Sequence, residues 1–155
     1  GMSAIHAEDI AHRDIKPGNL VFDEVTGKLV IVDFGLSKQL AATNALAKTL
    51  CGTPLYMSPE QVQGNRSLDE RSDIFSAGVC LYEVLAIREP FRGRTIDETF
   101  NNIKHLEVEP PSVRSPTQEI PAEADQVVAK ALQKRPGERF QSMRDLIAAL
   151  RAIET

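Results

Sequence analysis

The stretch HRDIKPGN at residues 12–19 decides how this sequence is interpreted, together with the DFG at residues 33–35 that follows it. Pro17-Gly18 indicates a loop. Two short apolar runs come next, at 20–22 and 28–32, and a turn-like stretch separates them. These runs predict a small β-hairpin between the polar loop and DFG.

The composition is that of an ordinary globular domain. The chain has 155 residues, a net charge of -4, 42% hydrophobic and 26% charged residues, which excludes disordered, collagen-like and coiled-coil classes. The acidic balance gives no reason to expect nucleic acid or an anionic membrane as a partner.

The lack of a recognisable targeting signal and the cysteine usage favour a cytoplasmic location. No apolar run approaches the roughly 20 residues of a membrane span, and the N-terminus lacks the basic region and apolar core of a signal peptide. Gly1 before Met2 is interpreted as the remnant of a cleaved expression tag. Cys51 and Cys80 form no CxxC pair, so both are expected to be reduced thiols.

The rest of the chain is predicted to be mostly helical. Ser58 and Pro59 suit a helix start, and residues 72–87 are apolar nearly all round, which predicts a central buried helix. A capping box at Thr95 opens a further helix to about residue 105. A proline-rich connector at 107–121 precedes amphipathic helices at 122–133 and 142–153. Residues 36–57 lack a period and predict a functional or disordered loop.

Five motifs in a fixed order carry a family resemblance. They are HRDIKPGN at 12–19, DFG at 33–35, GTPLYMSPE at 52–60, DIFSAG at 73–78 and RPGERF at 135–140. The chain resembles the C-terminal lobe of a eukaryotic-like serine/threonine protein kinase over residues 3–153. Ser58 departs from the Ala that is common in the third motif, and Phe75 from the Trp that is common in the fourth. The implied fold is mainly α (α+β), a helical bundle around a buried central helix with a small β-hairpin at the cleft.

The resemblance implies a site for ATP and Mg²⁺. Asp14 would accept or orient the proton of the substrate hydroxyl, and Lys16 would neutralise the γ-phosphate. Asn19 and Asp33 would ligate Mg²⁺, and Val21 would lie nearest the adenine. Any one of these acids alone is more often a cap or turn residue, and their joint spacing favours the catalytic interpretation.

The resemblance also implies a protein substrate. Lys16, with Thr53 before Pro54, is typical of serine/threonine kinases, and Thr53 would lie in the substrate groove. Arg13 would bind an activation-loop phosphate, with Thr49 as the candidate phosphosite. A plain surface threonine is the alternative for Thr49.

Other family positions are interpreted as structural. His12 would pack beneath Phe34, Asp73 would hold the catalytic-loop backbone, and Glu60 and Arg139 would form a buried ion pair. The complete set is His12, Phe34, Gly35, Glu60, Asp73 and Arg139.

The sequence holds no glycine-rich loop, no strand lysine and no partner helix glutamate, so the N-terminal lobe is expected to be absent and the isolated chain inactive. Two hypotheses remain open. One is a catalytic-lobe fragment of a serine/threonine kinase, and the other is a non-catalytic binding module or pseudokinase-like scaffold. Retention of Asp14, Lys16, Asn19 and Asp33 favours the first.

The face that would meet the missing N-lobe is expected to be unusually apolar. It would include Val21, Phe22, Phe34 and Leu36. Such a patch invites self-association.

Overall fold

The computed structural model describes residues 11–32 and 54–153. It comprises a β-hairpin followed by helices, with short 3-10 turns at Pro17–Asn19, Pro54–Tyr56 and Pro136–Glu138. The strands are β1 (Leu20–Asp23) and β2 (Lys28–Ile31). The helices are α1 (Pro59–Val62), α2 (Glu70–Ala86), α3 (Ile96–His105), α4 (Pro111–Arg114), α5 (Ala122–Ala131) and α6 (Met143–Ile153).

The predicted hairpin is confirmed. β1 and β2 pair antiparallel, with Leu20 opposite Ile31 and Asp23 opposite Lys28. The Asp23 carboxylate accepts the backbone N–H of Val25 at 3.0 Å, and so closes the turn. Gly27 follows with φ of +65°, a left-handed conformation that glycine adopts without strain. The loop at residues 12–19 therefore leads directly into a two-stranded antiparallel element.

The helices begin where their capping residues predict. Ser58 and Gln61 form a reciprocal capping box at the start of α1, and the Thr95 hydroxyl accepts the N–H of Glu98 at the start of α3. The central helix α2 begins two residues earlier than predicted, because Asp69 caps it. The proline-rich connector contains the one-turn helix α4, since Pro111 suits a first helical position.

The core is built around α2. Phe75, Val79 and Tyr82 pack with side chains from the following loop and from α3 and α5, and Ile74 packs with α5 and α6. The two clusters are Phe75, Val79, Tyr82, Ala86, Phe91, Ile103, Val128 and Leu132, and Ile74, Val127, Ala131, Phe140, Met143 and Leu146. Burial of these side chains is the main source of stability.

The expectation that α2 is buried all round is wrong at its C-terminal end. Val84 is 77% exposed, and Ile87, which caps the helix in a left-handed conformation, is 69% exposed. Ala86 is buried and its carbonyl accepts the Ser115 hydroxyl. The last turn is therefore covered on one side only.

Within the described segments, no helix is long and apolar enough to cross a membrane.

Candidate active site

Three of the predicted catalytic side chains lie together in the loop before β1. The Asn19 amide nitrogen donates to the Asp14 backbone oxygen at 2.9 Å and to Asp14 Oδ2 at 3.1 Å. Lys16 Nζ lies 3.3 Å from the same Oδ2, and both side chains are 39% exposed. Asn19 itself is buried. The loop thus presents an accessible carboxylate and ammonium above a buried amide.

Six further residues with a predicted role lie outside the described residues: Asp33, Phe34, Gly35, Leu36, Thr49 and Thr53. The described chain before them ends at Val32, whose N–H donates to the Asn19 oxygen at 2.9 Å. Val32 immediately precedes Asp33 in the sequence.

Asp73 anchors the backbone of the loop that precedes β1. This carboxylate is fully buried in the first turn of α2. Its Oδ2 accepts the N–H of His12 and its Oδ1 accepts the N–H of Arg13, both at 2.7 Å. These are short, charge-assisted hydrogen bonds. The position of the loop is therefore set by the central helix of the core.

His12 is also fully buried and supports the loop from within. Its Nδ1 accepts the N–H of Asp14 at 3.2 Å.

Arg13 is the strained residue of the loop. Its φ of +66° lies in the left-handed region, which costs a non-glycine residue on the order of 1 kcal/mol or more. Its side-chain Nε is buried and has no hydrogen-bond partner among the described residues.

Glu60 and Arg139 form the predicted buried ion pair. Both guanidinium nitrogens reach the carboxylate, at 2.7 Å and 2.8 Å, and the Ser72 hydroxyl donates to it at 2.6 Å. Burial acts to raise the pKa of Glu60, but the hydrogen bonds from Arg139 and Ser72 outweigh it and hold that pKa below its ordinary value. The pair ties α1 to the segment between α5 and α6.

The sequence reasoning missed two polar links around the turn at Pro54–Tyr56 and α1. Tyr56 Oη donates to Glu83 of α2 at 2.6 Å. Burial, assisted by Glu83, raises the pKa of Tyr56 well above its usual range. Gln61 Nε2 donates to the Arg13 carbonyl oxygen at 3.0 Å. An acid within an apolar helix and the S-x-x-Q capping pattern were the signals available for Glu83 and Gln61.

The hairpin exposes several large apolar side chains next to the loop at residues 12–19. Val21 is 49% exposed and Phe22 60%, and the opposite strand exposes Leu29 and Val30 similarly. The predicted apolar face is therefore present at its two described positions, Val21 and Phe22.

One of the two predicted magnesium ligands lies in the described part of the loop. Asn19 donates its amide nitrogen to Asp14, and its amide oxygen is the kind of hard oxygen donor that Mg²⁺ prefers. The other predicted ligand, Asp33, lies outside the described residues. In the part of the chain that the structure describes, no group of three His, Cys, Asp or Glu side chains could hold a metal alone. Mg²⁺ commonly takes only one or two carboxylates and completes its shell with phosphate oxygens and water.

Comparison with known proteins identifies the class. The protein kinase domain family matches residues 1–149. The chain therefore belongs to the protein kinase family.

The curated relatives are bacterial serine/threonine-protein kinases. The chain is 40% identical over 155 residues to PknA of Corynebacterium glutamicum, a match covering 99% of the chain and 31% of the relative. It is 37% identical over 149 residues to PknB of Mycobacterium tuberculosis (94% and 23%). It is 33% identical over 147 residues to PrkC of Bacillus subtilis (94% and 22%). The chain thus spans less than a third of each relative.

Proposed function

We propose that this chain is the catalytic lobe of a serine/threonine protein kinase that transfers the γ-phosphoryl group of ATP to protein hydroxyls. The observation that carries the proposal is the cluster of Asp14, Lys16 and Asn19 on a loop that buried Asp73 anchors. A scaffold protein has no need of an exposed carboxylate held by a buried amide and paired with a lysine.

The geometry supports the roles that the family resemblance implies. In phosphoryl transfer the hydroxyl oxygen bonds to the γ-phosphorus as the bond from that phosphorus to the β–γ bridging oxygen breaks. Asp14, half-exposed and oriented by Asn19, orients the hydroxyl and receives its proton. Lys16 is close enough to Asp14 to face both this carboxylate and the transferred phosphoryl oxygens.

Asn19 and Asp33 would hold Mg²⁺, which neutralises phosphate charge when it is bound. Val32 pairs with the Asn19 backbone, which supports a place for Asp33 at this site. Val21 would contact the adenine, and Thr53 would lie in the groove for the protein substrate.

Regulation by phosphorylation forms part of the proposal. Arg13 has a buried Nε that lacks a partner among residues 11–32 and 54–153. A phosphate on Thr49 would supply charge-assisted hydrogen bonds to that guanidinium.

The exposed hairpin favours a second candidate function for these 155 residues on their own. The hairpin exposes Val21, Phe22, Leu29 and Val30. Through this apolar surface the 155 residues would act as a module that binds another lobe or a second copy of the chain. We expect them alone to bind Mg²⁺-nucleotide weakly and to show negligible phosphotransfer, since the residues that cover a nucleotide in kinases are not among them.

A chimera separates the two functions. Residues 2–155 are joined to the preceding part of the kinase domain of the PknA relative, and transfer of labelled phosphate from ATP-Mg²⁺ to a protein substrate is measured. Asp14→Asn should lower kcat by about 10²–10⁴-fold, whereas Asp97→Asn, an exposed acid on α3, should leave it unchanged. A folded, nucleotide-binding chimera that is inactive, or is indifferent to Asp14→Asn, would refute catalysis and favour the module.

A further inference from the structure

The peptide group between Arg13 and Asp14 is held at both of its ends. Its carbonyl oxygen accepts from Gln61 Nε2 at 3.0 Å, and its N–H donates to His12 Nδ1 at 3.2 Å. Fixing both ends of a planar group fixes its rotation. Because this peptide leads into Asp14, its orientation sets the direction in which the Asp14 side chain leaves the backbone.

The same contacts hold Arg13 in its strained conformation. Its N–H is bound by Asp73 and its carbonyl by Gln61. A non-glycine residue at φ of +66° would lower its conformational energy by moving out of the left-handed region. With both backbone groups anchored, it cannot relax without losing a hydrogen bond. Asp73 anchors one side from the core, and Gln61 is the side chain that anchors the other.

Gln61 is itself fixed in orientation by the capping box. Its Oε1 accepts the N–H of Ser58 at 2.9 Å, and its own N–H donates to Ser58 Oγ at 3.3 Å. A flipped amide would place its nitrogen against the Ser58 N–H and its oxygen against the Arg13 carbonyl. Glutamate fills a capping box equally well, but an ionised glutamate has no hydrogen to donate to Arg13. The donor is therefore the one property that only glutamine supplies here.

We propose that Gln61 is a positioning residue for Asp14, which couples the first turn of α1 to the catalytic carboxylate through the Arg13 carbonyl. α1 begins three residues after the turn at Pro54–Tyr56. Displacement of this segment therefore reaches Asp14 through one hydrogen bond. This inference rests on the proposed function insofar as Asp14 is the catalytic group.

The contact is tested first on the 155-residue chain, with no need for activity. Gln61→Glu keeps the capping acceptor and removes the donor, and Gln61→Met removes both. Gln63→Glu, at an exposed position two residues away, is the matched control for the added charge.

In ¹⁵N NMR spectra, both Gln61 variants should shift the Asp14 amide more than the control does. Hydrogen exchange at Arg13 and Asp14 should become about 2- to 10-fold faster, the amount that one hydrogen bond confers. Protonation of the new glutamate restores a donor, so the Gln61→Glu shift should return toward the wild-type position as the pH is lowered.

The positioning role is tested in the active chimera described above. Gln61→Glu and Gln61→Met should each lower kcat about 10-fold, with KM for ATP within twofold of wild type. The kcat of the Gln61→Glu variant, relative to that of wild type, should rise as the pH falls. The kcat of the Gln63→Glu variant should equal that of wild type. If Gln61 served only to cap α1, the Gln61→Glu variant would behave as wild type in both experiments.

Three results would overturn the inference. An Asp14 amide that does not respond to either Gln61 variant would show that the contact does not orient it. A shifted amide with unchanged kcat, in an enzyme that depends on Asp14, would show that the contact does not position catalysis. Loss of the Asp14 dependence would refute the proposed function and with it this catalytic role, even if the NMR response is present.

Discussion

Replacing Arg139 with methionine should destabilise the fold more than any other single change of a charged residue that we consider. Arg139 is 2% exposed, and its guanidinium group makes five hydrogen bonds. Two go to Glu60, and one each goes to the backbone oxygens of Arg71, Gln133 and Lys134. All five of its N–H donors are used.

The magnitude follows from what the change leaves behind. Methionine retains much of the volume but none of the donors, so the Glu60 carboxylate keeps the Ser72 hydroxyl as its remaining partner. Removing one partner of a buried ion pair costs about 3–5 kcal/mol. Folded domains typically have a free energy of unfolding of about 5–15 kcal/mol. At about 2–4 °C per kcal/mol, the melting temperature should fall by about 6–20 °C.

The pH dependence should change sign. In the wild type the pKa of Glu60 is held below its ordinary value, so its stabilising contribution is present above that value and is lost as the pH falls through the folded-state pKa. Without Arg139, burial raises the pKa of Glu60 above its unfolded value. The variant should then gain stability relative to wild type as the pH falls from 7.5 to 5.

The assay is urea unfolding followed by circular dichroism at both pH values. Arg135→Met is the matched control, because Arg135 is 84% exposed and lies 3.7 Å from Glu138. It should cost less than about 1 kcal/mol. Glu60→Met combined with Arg139→Met should recover more than about 1 kcal/mol relative to additivity. An Arg139→Met variant that is no less stable than the control, or that loses stability on acidification as wild type does, would refute the reasoning.

Three further outcomes are expected. Asp73→Asn should cost about 2–3 kcal/mol, the value of a hydrogen bond to a charged group, and should accelerate exchange of the two loop amides that Asp73 accepts; unchanged protection would contradict its anchoring role. Gly78→Ala should destabilise by about 1–3 kcal/mol by overpacking, since the new Cβ would lie 2.8 Å from a neighbouring Cβ in α5, whereas Gly137→Ala, in open space, should not; equal melting temperatures would be inconsistent with this packing. Burial lowers the pKa of Lys134 to about 8, so NMR of the ¹³C-methylated protein should show the ammonium losing its proton near pH 8. The contribution of Lys134 to stability should rise between pH 8 and 10.5, the ordinary pKa of lysine. A titration midpoint near pH 10.5 would show that the ammonium is solvated.

Local patterns account for the parts of the fold that the sequence predicted correctly. The hairpin follows from two apolar runs around a turn at Asp23, and the start of α1 follows from Ser58 and Pro59. These features depend on neighbours within a few residues, so a short window holds all the information that they need. The motif order likewise indicated Glu60 and Arg139, although 79 residues separate them.

Sequence reasoning failed where a contact depends on how separate elements pack. The apolar pattern of α2 predicted burial on every side, yet Val84 is exposed, because neighbouring residues cover only one side of the last turn. Glu83 in the same helix was not recognised as the partner of Tyr56. An apolar period reports which residues prefer burial, and not where a neighbour is present to bury them.

By itself, the sequence determined the class of this protein, its helical order and the chemistry of its loop, because residue types and spacings are local properties of the chain. Only the tertiary structure decided how that chemistry is oriented. The strained Arg13 is anchored by Asp73 and Gln61, which are 60 and 48 residues distant. Hydrogen bonds act over about 3 Å of space irrespective of separation along the chain, so these partners are defined only once α1 and α2 have packed beside the loop.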